Sequence, residues 1–410
     1  MIRASRAAFA FIFITVALDM LALGIIVPVL PKLVVAFEGG DVAHAARVVG
    51  VFGFAWSAMQ FVSSPIVGAI SDRYGRRPVV LLSNFGLGLD YLVMALAPSV
   101  SWLFLGRLVS GITSSSIPTA SAYIADVTAP DQRAAKFGML GAAFGLGFII
   151  GPAVGGVLGD IDLRLPFWVA GGLSLANAGY GYFILPESLP AEKRAHVPWQ
   201  MANPLGSLSF LRAHPELLAL GATFFLYYFA HEVYPTLFVL YGDYRYAWSA
   251  RQLGLTLALF GIGSTITSAI LIGPIVKRIG ERHAMMLGLA LSATSALVIA
   301  LAYTGTLFFL SIPLASLGGL SSPSLMAIAS RQADETEQGR LQGALGSLQG
   351  IAMMVAPLVL SQLFAGSIQR GGRTLAGVPF AFTSLVLCAA LLLAARATRA
   401  TRHAPLDRVT

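Results

Sequence analysis

Charge is scarce in this chain. Asp, Glu, Lys and Arg together make up 11% of its 410 residues, against about 25% in an ordinary soluble domain. So few charges cannot cover the surface of a soluble fold of this length, which excludes the usual expectation of two or three soluble domains. Cysteine is scarcer still. Cys388 stands alone, so neither an internal disulfide nor a thiolate metal site can form. Polar stretches are nearly missing too, with one long run at residues 187–215. What fills the sequence is apolar: 56% hydrophobic residues, without the composition of a collagen, a coiled coil or a disordered tail. The chain reads as an integral membrane protein.

A helix crosses the hydrocarbon core with about 20 mainly apolar residues. Twelve such windows occur, at residues 7–30, 48–70, 78–97, 102–125, 137–158, 167–185, 217–241, 253–276, 284–303, 307–329, 341–364 and 378–395. The first is too long for a cleavable signal and contains Asp19. The polar run divides the windows six and six. Residues 1–186 are expected to form one six-helix bundle, 187–215 a cytoplasmic linker, 216–396 a second bundle and 397–410 a tail. Cations set the orientation. With both termini in the cytoplasm, 19 of the 27 Lys and Arg fall inside and seven outside, leaving Arg107 within a window. The formal charge of +8 then reflects insertion and the anionic lipid of the inner leaflet, not nucleic acid.

The sequence also repeats. A shift of 205 residues pairs Gly68, Arg73, Gly75 and Arg77 with Gly273, Arg278, Gly280 and Arg282, and Ser116 and Pro118 with Ser321 and Pro323. The same shift pairs Gly138, Gly141, Gly145 and Pro152 with Gly343, Gly346, Gly350 and Pro357. Because it advances the chain by six windows, the halves share one orientation. Parallel halves with a site between them near the midplane are a transporter architecture.

Three segments carry chemistry. Between windows two and three lies Gly68-x-x-x-Asp72-Arg73-x-Gly75-Arg76-Arg77-Pro78. Its glycines permit a tight turn, Asp72 can pair with a cation or cap a helix, and its arginines suit the anionic leaflet. The copy at residues 273–282 has Lys277 in place of Asp72, so the two loops are expected to differ in function. Window four holds Arg107, a permanent cation in hydrocarbon, which either pairs with an acid or snorkels outward. Window five places Gly147, Gly151 and Gly155 on one helix face, followed by Gly156, with Pro152 encouraging a bend.

Three acids also sit deep: Asp19, Asp90 and Glu232. Desolvation penalises a buried charge, so acids at that depth can exchange a proton as their surroundings change; the other reading is hydrogen bonding between helices. Polar or aromatic side chains at mid-window, namely Gln60, Tyr91, Tyr227, Tyr228, His231, Tyr234 and Gln349, are candidates for the wall of a central cavity. His231 precedes Glu232, yet adjacent helix residues project about 100° apart and need not touch. The hydroxyls of Ser114, Ser115 and Ser116 satisfy helix neighbours or line a path rather than act as nucleophiles. With no phosphate-binding loop and no Cys/His cluster, no enzyme is indicated. The expected energy source is an ion gradient, with no cofactor and no metal.

Along its whole length the chain resembles the major facilitator superfamily, in the branch of tetracycline/proton antiporters and related drug exporters. The likeness is carried by Leu18-Asp19-Met20 with Pro28 and Pro31, by the Asp72–Pro78 loop, and by Leu89-Asp90-Tyr91. It continues through Gly106-Arg107, Ile124-Ala125-Asp126 and the glycines from Gly145 to Gly156. The resemblance implies twelve transmembrane helices in two pseudo-symmetric six-helix bundles, working as a monomer in the plasma membrane. It further implies coupling or gating roles for Asp19, Asp72, Asp90, Arg107 and Asp126, a latch at Asp72 and Arg73, and an antiporter motif at Gly147–Gly156. Two departures stand out: window nine carries no acid, and Glu232 stands where that branch usually has glutamine. The combined expectation is proton-coupled export of an amphipathic small molecule. An importer, or a lipid or metabolite carrier on the same scaffold, is the alternative, and a sensor without transport is the remaining one.

Overall fold

The computed structural model describes residues 2–114, 116–129, 132–194, 208–334 and 337–400. Ser115, linker residues 195–207 and tail residues 401–410 lie outside them. Among the described residues the chain is all-helical, without strands. The first half contains α1 (Ile2–Ile26), α2 (Leu30–Phe37), α3 (Val42–Tyr74), α4 (Arg76–Leu96), α5 (Val100–Thr113), α6 (Ser116–Val127), α7 (Arg133–Ile161) and α8 (Leu165–Ile184). A short α9 (Leu208–Ala213) precedes α10 (Pro215–His231), α11 (Val233–Tyr246), α12 (Ala250–Ile266) and α13 (Ile272–Leu301). The chain continues through α14 (Gly305–Phe309), α15 (Ser311–Gly318), α16 (Ser321–Ser330), α17 (Gln338–Gly371) and α18 (Val378–Ala400).

Among the described residues each of the twelve apolar windows is mainly helical. Eight helical stretches among those residues are both long and apolar enough to cross a membrane. One of them, Ala250–Leu301, has 52 residues, about 78 Å of helix at 1.5 Å per residue. That is more than twice the hydrocarbon thickness, and the stretch is interrupted at Gly280, where φ is 76° and ψ 158°. It therefore holds windows eight and nine. Windows four and seven are each split by a short break, and window six, with Asn177 inside it, is less apolar.

Proline explains where the breaks fall. A proline lacks the N–H that would bond the carbonyl four residues earlier, and its ring crowds that carbonyl. Pro31 frees residue 27, where α1 gives way to α2; Pro118 frees Ser114, between α5 and α6; Pro323 frees Gly319, between α15 and α16. Pro235 frees His231, the last residue of α10. The breaks obey the sequence repeat. Residues 27 and 232 are 205 apart, as are Ser114 and Gly319. The loop glycines repeat as well: Gly75 has φ 108° and ψ 159°, close to the values of Gly280. In contrast, Pro152 and Pro357 lie inside uninterrupted α7 and α17.

The chain divides into two compact units. One comprises Met1–Asn203 with Gly242–Gly261, the other Pro204–Tyr241 with Ile262–Thr410. Segment 242–261, expected from the sequence within the second bundle, thus packs with the first. It is held there by an ion pair between Lys32 Nζ and Asp243 Oδ1 at 2.8 Å. Asp160 at the end of α7 adds a second tie, accepting from Ser249 Oγ at 2.9 Å and the Arg251 N–H at 3.1 Å.

The tightest seam in the first unit joins α1 to α7. A methyl group at Gly147 would press on Met20, at Gly151 on the backbone of Gly24, and at Gly155 on the carbonyl of Ile25. Gly24 meets Gly151 and Pro152 in return. Gly156 faces Ala250 instead, and Gly254 packs on the Pro152 carbonyl. Without Cβ atoms on either side the two backbones touch, which is the packing available where lipid supplies no hydrophobic drive. Replacing Gly155 by valine forces these backbones apart and should cost about 1–3 kcal/mol or more. Thermal unfolding in detergent should register it as a lower midpoint, while the same change at Gly138, whose Cβ position is open, should leave the midpoint in place.

Candidate functional site

The glycine seam sets Asp19 of α1 beside α4 and α8. Asp19 is 9% exposed, and three N–H bonds converge on its carboxylate. Asn177 Nδ2 donates to Oδ1 at 3.0 Å. The Asn84 amide, oriented to satisfy its neighbours, donates to Oδ2 at 2.8 Å and to Oδ1 at 3.0 Å, while its oxygen accepts from Asn177 Nδ2 at 3.1 Å. Asn177 Nδ2 also reaches the Thr15 carbonyl at 3.0 Å. Next to the acid lies a cavity of about 10 Å³ lined by Thr15, Asp19, Met20 and apolar side chains, room for about one water. The Thr15 hydroxyl there has no hydrogen-bond partner. Asn84 and Asn177 are not among the polar side chains that the sequence marks as candidates, although the amides Gln60 and Gln349 are. An uncharged amide inside an apolar window is costly to bury too, and that cost was the available signal.

Asp90 of α4 is furnished differently. It is 3% exposed, and neither carboxylate oxygen has a hydrogen-bond partner among the described residues. Gly106 of α5 makes room for it, since a Cβ there would stand 2.8 Å from Asp90 Oδ1. Arg107 exerts its field on Asp90 without forming an ion-pair contact. Its Nη2 donates to Ser110 Oγ at 3.0 Å, and its Nε is unpartnered. The Tyr91 side chain is buried and lies in the field of Arg107, Asp90 and Asp19 together. The structure therefore gathers Asp19, Asp90, Tyr91 and Arg107 into one buried group. An orphaned buried carboxylate is rare enough to require a reason beyond packing.

In the second unit, Glu232 occupies the break between α10 and α11, half-buried. Aromatic residues flank it in the chain: Tyr227 stacks on His231 at 5.8 Å, His231 meets Tyr234 at 5.5 Å, and Tyr227 meets Tyr228 at 5.3 Å. Tyr228 Oη lies 3.0 Å from Ser322 Oγ. Tyr227 is buried in the core and His231 is exposed. Gln349 of α17 and Gln60 of α3 are half-buried on other helices, with Gln349 Nε2 at 3.9 Å from Met353 Sδ.

The loop between α3 and α4 is a charged knot. Arg76 Nη1 pairs with Asp72 and donates to Ser71 Oγ at 2.7 Å, and Arg76 Nε meets Asp126 Oδ2 at 3.3 Å. Arg77 Nη2 donates to the Tyr182 carbonyl at 2.6 Å, and the Arg73 guanidinium lies 5.3 Å from the centre of the Tyr74 ring. The cap of α4 falls not to Asp72 but to Glu187, at the start of the linker. Glu187 accepts the N–H groups of Arg76 at 2.9 Å and Arg77 at 3.3 Å, together with those of Ser188 and Leu189 at 3.0 Å each. Gly75 is required there, because a side chain would overlap the Glu187 carboxylate. The second-half loop is less divergent than Lys277 suggests. Positions 76 and 126 correspond, 205 residues on, to Glu281 and Arg331, which pair at 2.7 Å. The contact is conserved between the halves with its charges exchanged.

A sequence profile of the Major Facilitator Superfamily matches residues 12–249 and 220–409. The chain belongs to that superfamily. The class C tetracycline resistance protein of Escherichia coli is 38% identical over 356 residues, 86% of this chain and 88% of that protein. The class G protein of Vibrio anguillarum is 36% identical, covering 86% and 89% respectively. Among solved structures, the human organic anion transporter MFSD10 (TETRAN) superposes with a TM-score of 0.69 at 25% identity, covering 95% of this chain and 99% of its own. As a major facilitator the chain is a multi-pass membrane transporter. In this transporter, Asn84→Leu removes both amide donors that Asn84 gives Asp19 and should lower stability by about 1–3 kcal/mol. Thermal unfolding in detergent reads the shift, and Gln60→Leu, which breaks no such network, should leave the midpoint nearly unchanged.

Proposed function

We propose that this chain is a proton-coupled exporter, exchanging protons for an amphipathic small molecule across the plasma membrane, with both termini on the cytoplasmic side. The observation that carries the reading is the Asp90 carboxylate, buried in the field of Arg107 without a hydrogen-bond partner among the described residues. Asp19 has three amide bonds to support its ionised form, and Asp90 has none. Asp90 is thus free to exchange its proton without breaking a side-chain hydrogen bond, and Tyr91 lies in the field of both acids. Taking up or losing that proton changes the local charge by one unit in a low-dielectric setting. Such a change biases the equilibrium between inward- and outward-open states. Glu232 supplies a third exchangeable acid in the second unit.

The remaining candidates take positional roles in this scheme. Asp72, Arg73, Gly75, Arg76, Arg77 and Asp126 form a latch that must rearrange as the access side changes. Gly147, Gly151, Pro152, Gly155 and Gly156 keep α7 tight on its neighbours, so that α1 and Asp19 move with it. Gln60, Tyr91, Tyr227, Tyr228, His231, Tyr234 and Gln349 contact the transported molecule along its path. The tetracycline resistance relatives support a drug-like substrate. The proton gradient is the energy source, no cofactor is needed, and one chain is the working unit. Cation counts on the two sides of the windows support the orientation.

Inside-out vesicles provide the test. With the lumen acidified, adding tetracycline should release lumenal protons, read by a fluorescent amine. Asp90→Asn should slow that exchange by about 100-fold while leaving the thermal midpoint intact. Drug flux without proton movement, or wild-type exchange in Asp90→Asn, would overturn the reading. In a Cys388→Ser background, Arg212→Cys should react with an impermeant maleimide in inside-out vesicles and not in intact cells.

A further inference from the structure

The two copies of the charged loop differ in their balance of charge. In the first, positions 72, 73, 76, 77, 126 and 187 carry three acids and three arginines, which cancel. Their counterparts 205 residues on are Lys277, Arg278, Glu281, Arg282, Arg331 and Leu392. Glu281 answers Arg331, and three positive charges are left over. Arg282 Nε donates to Thr398 Oγ1 at 2.9 Å, a neutral partner. Lys277 and Arg278 are exposed and make no hydrogen bond or ion pair among the described residues.

The space beside the two turns differs as well. A side chain at Gly75 would overlap the Glu187 carboxylate, whereas a Cβ at Gly280 or at Gly273 would meet nothing within 4 Å. The first copy fills its turn with an acid of its own chain. The second leaves its turn open beside an unbalanced positive charge.

The approach to the second turn is apolar. Ile262, Ile266, Ile270 and Pro274 recur every four residues along the Ala250–Leu301 stretch, and all four are exposed. From Ile266 to Lys277 the helix rises about 16 Å. One leaflet contributes roughly 15 Å of hydrocarbon, so an acyl chain laid along the isoleucines brings its headgroup level with Lys277 and Arg278. A soluble anion would use the cations and leave the isoleucines idle. A zwitterionic lipid brings its own cation to a place that already has too many. A phospholipid with net negative charge matches both the apolar face and the excess charge.

We propose, from the chain's place in the membrane and independently of what it transports, that Lys277 and Arg278, with the charge of Arg282 behind them, seat the headgroup of one anionic phospholipid whose acyl chain lies along Ile266 and Ile270. The seat belongs to the second-half loop alone, because Asp72, Asp126 and Glu187 neutralise the first.

The test uses the full chain in a non-ionic detergent, titrated with phosphatidylglycerol or phosphatidylcholine of the same acyl chains. Native mass spectrometry counts the bound copies. A basic residue at the membrane surface favours an acidic headgroup by about fivefold, so wild type should take its first phosphatidylglycerol about tenfold or more tightly than phosphatidylcholine. Lys277→Gln should cut that preference about fivefold. Lys277→Gln combined with Arg278→Gln should abolish it, as should Lys277→Asp, which restores the charge found at position 72. Arg212→Gln removes an exposed cation from α9 and should leave the preference intact. Ile270→Gln should weaken phosphatidylglycerol several-fold with every cation in place. Equal binding of the two lipids in wild type overturns the proposal. So does a preference that survives the double substitution, or one that falls as far in Arg212→Gln, which marks diffuse surface charge. Displacement of the lipid by inorganic phosphate at constant ionic strength marks a free-anion site and overturns it too. Should the double variant fail to fold, the lipid comparison in wild type and the Lys277→Gln variant decide the matter.

Discussion

Hydrocarbon solvates neither charges nor free backbone groups, and this constraint orders nearly everything in the molecule. It makes the described residues overwhelmingly helical. It also makes each departure from helix costly enough to need a local cause. The four breaks at residues 27, 114, 231–232 and 319 each lie close to four residues before a proline, at the carbonyl that proline leaves without a donor. The same constraint turns buried polar groups into specific objects. Asp19 is tied to two amides, Asp90 is left with the field of Arg107, and Glu232 sits at a break between helices. Three acids within apolar windows thus acquire three different surroundings.

Packing against lipid works without hydrophobic drive, so close backbone approach takes its place. The seam of Gly24 with Gly147, Gly151 and Gly155 is the tightest of these contacts. It determines where Asp19 lies, since Met20 is pressed directly on Gly147. The seam and the acid are therefore one device: loosening the glycine face would move the carboxylate away from Asn84 and Asn177. Segment 242–261 shows the reach of the same helix, since Asp160 and Gly156 of α7 both hold it.

Much of this was legible in the sequence. Twelve windows, the repeat and the glycine face follow from apolar runs, a constant offset and spacing by four, because these features act through local geometry. The glycines at positions 75 and 280 were legible as turn residues, and both take a positive φ. Other features depend on which helices meet, and periodicity does not encode that. Asn84 and Asn177 lie 93 positions apart, and only the packing of α1, α4 and α8 brings them to one carboxylate. Glu187 looked like the start of a linker, and became the cap of α4 through a loop contact across 111 positions. Segment 242–261 was assigned by order along the chain, whereas an ion pair and a cap decide its packing.

The exchange of charge between Arg76–Asp126 and Glu281–Arg331 bears on how a duplicated chain finds its own pairings. Two halves that arose from one pattern present each loop with two similar docking places while the protein inserts and folds. Were both pairs of the same polarity, either loop could settle on the other half's partner with little penalty. With the polarity reversed, a misdirected Arg76 would meet Arg331, and a misdirected Glu281 would meet Asp126. Like charges repel at contact, so each loop is turned back from the wrong half and admitted to its own. The inversion acts as an address label, letting one architecture be used twice in a single chain without confusion between the copies.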